Sequence, residues 1–204
     1  MRRQGPLEVK EVLRIGLQAA QALATAHAQG LVHRDIKPAN ILLENGIERV
    51  RITDFGLARA VDDGAVSQSG VVAGTPQYMA PEQARGEPVS PRADLFSLGG
   101  VLYAMCTGQP PFKGSNSLSI LKLVCEANPR PIQESNRDVP AWLVEVIGKL
   151  MAKASDHRYQ TAAEVAEVLQ HHLAVLQQPT GVNLVTPSPP AKLGKAAAKG
   201  RRRR

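Results

Sequence analysis

The run "DLFSLGGVLYAMCTG" at 94–108 is apolar nearly all round. A helix with that composition cannot lie on a surface; it belongs at the centre of a domain, covered on every side. The cover has to come from the rest of the chain, and its apolar spacing supplies helices. Residues 7–29 place Val12, Ile15, Ala19, Ala22, Leu23 and Ala26 at helical intervals, with Gly30 at the stop position. Further helical patterns run over 118–127, 141–153 and 161–176, the last opened by Thr161 and Glu164 as a capping box. Two short β-leaning runs, 41–43 and 50–53, flank "ENGIER", whose Asn45-Gly46 is a hairpin signal. Gly, Ser and Pro are dense over 56–92 and predict a long irregular segment, of the kind usually tied to function or mobility. The expected fold is mainly α with a small β-hairpin.

Length and charge narrow the function. With 204 residues the chain has enough material for one domain with a sizeable core, or two small ones. Its formal charge of +7 looks like a nucleic-acid signal, but Lys192, Lys195, Lys199 and Arg201 to Arg204 account for the whole excess. The basic character therefore describes a tail, and no specific nucleic-acid partner is expected. From 179 onward Pro, Ala, Gly and Lys predominate, the composition of a disordered linker. Cys106 and Cys125 form no CxxC pair and read as buried free thiols, which favours a reducing, cytoplasmic setting. No signal peptide is expected, because Met1-Arg2-Arg3 leads into a polar stretch, and no window is apolar enough for a membrane span. His171 and His172 are adjacent on a helical pattern and so do not share a face as metal ligands would.

Three motifs carry the chemistry: "HRDIKPAN" at 33–40, "DFG" at 54–56 and "GTPQYMAPE" at 74–82. In this order they resemble the signature set of protein kinases. Residues 7–176 resemble the larger, C-terminal lobe of a Ser/Thr protein kinase, and "PEQARGEP" is most similar to the bacterial, eukaryote-like branch. The resemblance implies a protein-kinase-like C-lobe over 7–178, a remnant of the interlobe region at 1–6, and a basic tail at 179–204. ATP and Mg²⁺ are the implied cofactors, and protein Ser/Thr hydroxyls the implied substrate.

Phosphoryl transfer needs an aligned nucleophile and neutralised phosphate charge, with little covalent work for the protein. Asp35 is then the catalytic base that accepts and orients the substrate hydroxyl proton. Lys37 is a point charge for the transferring phosphate. Asn40 and Asp54 are hard oxygen ligands suited to Mg²⁺. By resemblance Leu42 floors the adenine pocket and Thr53 flanks the metal-binding Asp54. Lys37 with Thr75 points to the Ser/Thr-specific form. Arg34 resembles the Arg that pairs with a phosphorylated residue; Ser67 and Ser69 are the acceptor candidates, or plain polar loop residues, with Thr75 used in substrate docking. Glu82 is implied to pair with Arg158, and Asp94 to hold the backbone of the catalytic loop. His33 and Phe55, the latter followed by Gly56, are implied to stack in a hydrophobic column.

Other kinase parts do not precede "HRD": there is no G-x-G-x-x-G loop, no V-A-I-K lysine and no matching glutamate. The expectation is a truncated kinase whose isolated chain binds ATP poorly and is inactive or nearly so. The alternative is an incompetent kinase-like lobe acting as a docking or regulatory module. The tail is expected to be a solvated linker, or a juxtamembrane segment touching an anionic membrane surface on the cytoplasmic side.

Overall fold

A computed structural model describes residues 5–44, 49–54 and 76–177. In chain order these form α1 (Val9–Ala28), β1 (Ile41–Glu44), β2 (Arg49–Ile52), α2 (Pro81–Ala84), α3 (Pro91–Thr107), α4 (Ser117–Glu126), α5 (Ile132–Ser135), α6 (Ala141–Leu150) and α7 (Ala162–Gln177). Short 3₁₀ turns occupy Pro38–Asn40, Pro76–Tyr78 and Ser155–His157.

The apolar run is the central helix its composition requires. In α3, Leu95, Phe96, Leu98, Val101, Leu102 and Cys106 are fully buried. Each large side chain of this kind contributes about 1.5–3 kcal/mol by leaving water. Burial also pushes the Cys106 thiol up to about 12, so it is an inert packing group. α3 packs on α1 and α6, and α1 packs on α7. Two glycines permit the close approach. A Cβ at Gly16 of α1 would stand 2.8 Å from a Leu102 methyl, and one at Gly99 of α3 would stand 2.7 Å from Leu150 Cβ.

β1 and β2 pair antiparallel in the register Ile41–Ile52, Leu42–Arg51, Leu43–Val50 and Glu44–Arg49. Ile41 is buried whereas Leu42 is 47% exposed, so the ribbon puts one face on the core and one outside. Gln18 of α1 pins it, its Oε1 accepting from the Val50 N–H at 3.0 Å. Trp142 of α6 stacks on His172 of α7 at 3.9 Å between ring centroids, so His172 serves packing between helices.

The fold is mainly α with a two-stranded antiparallel sheet. The segment expected to be irregular to residue 92 contains the Pro76–Tyr78 turn, α2 and the first residues of α3. Pro91 explains the early start of α3: its fixed φ suits the first helical position. The helix expected over 141–153 ends at Leu150, after which Met151 leaves helical geometry. At the head of α7 the Glu164 N–H donates to Thr161 Oγ1 at 3.1 Å, but Glu164 accepts from the Gln160 N–H, one residue before the cap. Cys125 is half-buried, not enclosed, because its helix α4 presents that side toward Pro81. Among the described residues no helix is long and apolar enough to cross a membrane. Phe55, Gly56, Ser67, Ser69, Thr75 and the tail at 179–204 lie outside the described residues.

Candidate active site

The "HRDIKPAN" loop runs between the C-terminus of α1 and the start of β1, and α3 anchors it. Asp94, fully buried in the first turn of α3, accepts three hydrogen bonds. Its Oδ2 takes the His33 backbone N–H at 2.9 Å and the His27 Nε2–H at 2.8 Å, and its Oδ1 takes the Arg34 N–H at 2.8 Å. A carboxylate with three donors is well matched to burial. Gln83 of α2 holds the other side of the same residue, its Nε2 donating to the Arg34 carbonyl at 2.8 Å.

That clamp has work to do, because Arg34 has φ +66°. Among the described residues, Asp54 (also φ +66°) is the other non-glycine in this region. Such conformations cost free energy and persist where neighbours over-determine them. The two strained residues fall in the "HRDIKPAN" and "DFG" motifs.

His33 joins the motifs. Its Nε2 donates to the Thr53 carbonyl at 2.7 Å, since a carbonyl can only accept. Its Nδ1 therefore accepts the Asp35 N–H, at 3.2 Å. Both ring nitrogens are engaged, so the His33 ring ties the two motifs together. Thr53 closes the link, its N–H donating to the Asn40 carbonyl at 2.9 Å.

Asp35 sits at the centre of this frame. Lys37 Nζ donates to Asp35 Oδ2 at 2.6 Å, and Asn40 Nδ2 donates to the same oxygen at 3.1 Å and to the Asp35 carbonyl at 2.8 Å. The Asp35 carboxylate nevertheless remains 44% exposed, open to an incoming hydroxyl. Both bonds from Asn40 use its amide nitrogen, which turns the carbonyl oxygen away from Asp35. Asp54 is exposed. One amide oxygen and one carboxylate fit Mg²⁺, which keeps several waters and takes further ligands from phosphate.

A second pair lies deeper. Glu82 of α2 and Arg158 meet in a two-point contact, Nη1 to Oε1 at 2.7 Å and Nη2 to Oε2 at 2.8 Å. Arg158 also donates to the carbonyls of Ala152, Arg92 and Lys153, so all five of its N–H groups are placed. Burial works to raise the Glu82 pKa, and the Arg158 hydrogen bonds and charge outweigh it, holding the carboxyl below its ordinary range.

The structure thus brings together His33, Arg34, Asp35, Lys37, Asn40, Thr53, Asp54 and Asp94, and pairs Glu82 with Arg158. Sequence reasoning missed His27 and Gln83. Each is a single polar residue in a helix, and only the folded chain carries it to the loop.

The protein kinase domain family matches residues 1–174. The chain is 43% identical over 171 residues to the serine/threonine-protein kinase PknB of Mycolicibacterium smegmatis, covering 82% of this chain and 27% of that protein. It is 41% identical over 172 residues to PknB of Mycobacterium tuberculosis (83% and 27%), and 41% identical over 170 residues to PknB of Mycobacterium leprae (82% and 27%). The chain belongs to the protein kinase family, in its bacterial, eukaryote-like Ser/Thr branch. It spans about a quarter of the length of these curated relatives.

Proposed function

We propose that residues 7–178 form the C-terminal lobe of a Ser/Thr protein kinase, which transfers the γ-phosphate of ATP to protein Ser or Thr hydroxyls. The observation that carries this reading is the convergence on Asp35. An open carboxylate has a lysine at 2.6 Å and the amide of Asn40 at 3.1 Å. Asp35 orients the acceptor hydroxyl and takes its proton, a contribution on the order of 10²–10⁴ in rate. Lys37 lies beside it and contacts the phosphoryl group. Asn40 and Asp54 would hold Mg²⁺, which neutralises phosphate charge when bound. Leu42, on the outer face of the ribbon, supports the adenine, and Thr53 fixes the strand end beside Asp54. Arg34 reads a phosphoryl group on Ser67 or Ser69, and Thr75 docks the substrate.

The test joins this chain to the small lobe of the M. smegmatis relative and measures phosphate transfer from Mg²⁺·ATP to a Ser/Thr protein. Transfer is expected, falling at least about 100-fold with Asp35→Asn. No transfer, or transfer that survives Asp35→Asn, would defeat the reading and leave a docking module in its place.

A further inference from the structure

Two neighbouring side chains of α2 serve different partners. Glu82 locks the helix into the interior through its two-point contact with Arg158. Gln83, half-buried beside it, turns both ends of its amide to backbone groups. Its Oε1 accepts the Ala80 N–H at 3.1 Å, and its Nε2 donates to the Arg34 carbonyl at 2.8 Å. One orientation of the amide alone serves both, since the N–H needs an acceptor and the carbonyl a donor.

We propose that Gln83 is a positioning residue for Asp35, acting through the peptide bond that joins Arg34 to it. The inference rests on the kinase reading above and adds a residue to that site. The Arg34 carbonyl and the Asp35 N–H belong to one rigid plane. Gln83 holds the carbonyl side of that plane, and His33 Nδ1 accepts its N–H at 3.2 Å. Fixing the plane fixes the direction in which the Asp35 side chain leaves the backbone. Lys37 and Asn40 then set the carboxylate itself.

Arg34 is the reason such a hold is needed. Its φ of +66° is unfavourable for a residue with a Cβ, and the strain persists only under restraint. Asp94 holds the peptide plane before Arg34 and Gln83 the plane after it, so together they fix its backbone torsions. Because Glu82 anchors α2 to Arg158, the Gln83 amide gives the loop a fixed reference. Accuracy here matters to transfer, since misplacing a reacting group by about 1 Å can cost about 100-fold in rate.

Two substitutions separate positioning from plain helix capping. Gln83→Met removes both hydrogen bonds at nearly constant length. Gln83→Glu keeps an oxygen for the Ala80 N–H but sets its other oxygen, which has no proton to give, against the Arg34 carbonyl. The first readout is amide hydrogen exchange in the 204-residue chain, followed by NMR. Exchange at the Asp35 N–H is expected to quicken about ten-fold in both variants, while amides of α1 and α3 keep their rates. The second readout is transfer in the joined protein. There kcat is expected to fall about 10–100-fold in both variants, with KM for ATP nearly unchanged.

A capping role alone predicts otherwise: Glu would behave as Gln does, because the cap survives and an acid suits a helix N-terminus. Wild-type exchange at Asp35 or wild-type kcat in Gln83→Glu overturns the proposal. So does faster exchange in that variant that spreads through α1 and α3, the mark of general destabilisation. Since Gln83→Glu keeps the cap, it decides the matter even where Gln83→Met does not fold. The two readings fail separately. Asp35-dependent transfer that ignores Gln83 removes its role and leaves the kinase reading standing. A joined protein without transfer defeats the kinase reading, and exchange at Asp35 alone then decides whether Gln83 holds it.

Discussion

Glu82 and Arg158 meet at 2.7 Å in the interior, and Asp35 and Lys37 meet at 2.6 Å at an open surface. The pairs share one chemistry and differ in setting. Arg158 and Glu82 side chains are 0% and 11% exposed, against 21% and 44% for Lys37 and Asp35. In the first pair every guanidinium donor has an acceptor, so no valence is left for a ligand. In the second the carboxylate keeps an open side, and its frame includes a strained residue, Arg34, held from both sides by Asp94 and Gln83. A saturated buried pair ties α2 to the helical base; an unsaturated exposed pair leaves a carboxylate open at the surface.

The sharpest way to break the comparison is to cut each pair. Arg158→Met leaves the Glu82 carboxylate buried alone and is expected to cost about 3–5 kcal/mol in urea unfolding. Lys37→Met is expected to cost about 0–1 kcal/mol, as exposed pairs do, while suppressing phosphate transfer in the joined protein. Equal losses from both variants would erase the distinction.

Asp94→Asn should fall between them, because it joins a buried anchor to the loop. The neutral amide weakens three hydrogen bonds, so about 1.5–3 kcal/mol of stability and a matching loss of transfer are expected together. A stable variant with full activity would show that the loop holds its shape unaided.

Acid sharpens the buried pair alone. Glu82 has a folded pKa below its unfolded value, so its stabilisation is present above the unfolded value of about 4.3. It is lost as pH falls through the lower folded value, where the unfolded chain has already taken up its proton. Unfolding free energy followed down through this window should drop, and Glu82→Gln should flatten that part of the profile.

Alkali tests a neighbour of the buried pair, Lys153, beside Arg158. Burial pulls its ammonium down to about 8, although Nζ donates to the Val124 carbonyl and lies 4.5 Å from the Phe112 ring centroid. Between that value and the unfolded one of about 10.4, the unfolded chain binds more protons, so stability should rise with pH. Lys153→Met should remove this slope, read by thermal melts across the alkaline range.

Much of this was legible before folding. The composition of 94–108 called for a central helix, and the apolar spacing around it for helical cover. "HRDIKPAN" and the "DFG" opened by Asp54 marked the site because, in that order, they resemble the signature set of protein kinases. His27 and Gln83 were not legible: they lie 67 and 49 residues from the groups they hold, and no local pattern distinguishes them. The positive φ at Arg34 and Asp54 was hidden as well, because neither residue is the glycine that announces such a conformation. α5 escaped because four residues after Pro131 are too few for a helical period.

The central claim is that Asn40 and Asp54 turn the open region beside Asp35 into a metal–nucleotide site. Calorimetric titration of the 204-residue chain with ATP, with and without Mg²⁺, tests it most directly. Leu42, proposed to support the adenine, stands 47% exposed, so affinity should be millimolar or weaker. Mg²⁺ should strengthen that binding, and Asp54→Asn should abolish the strengthening. Micromolar binding that ignores both Mg²⁺ and Asp54→Asn would contradict the account.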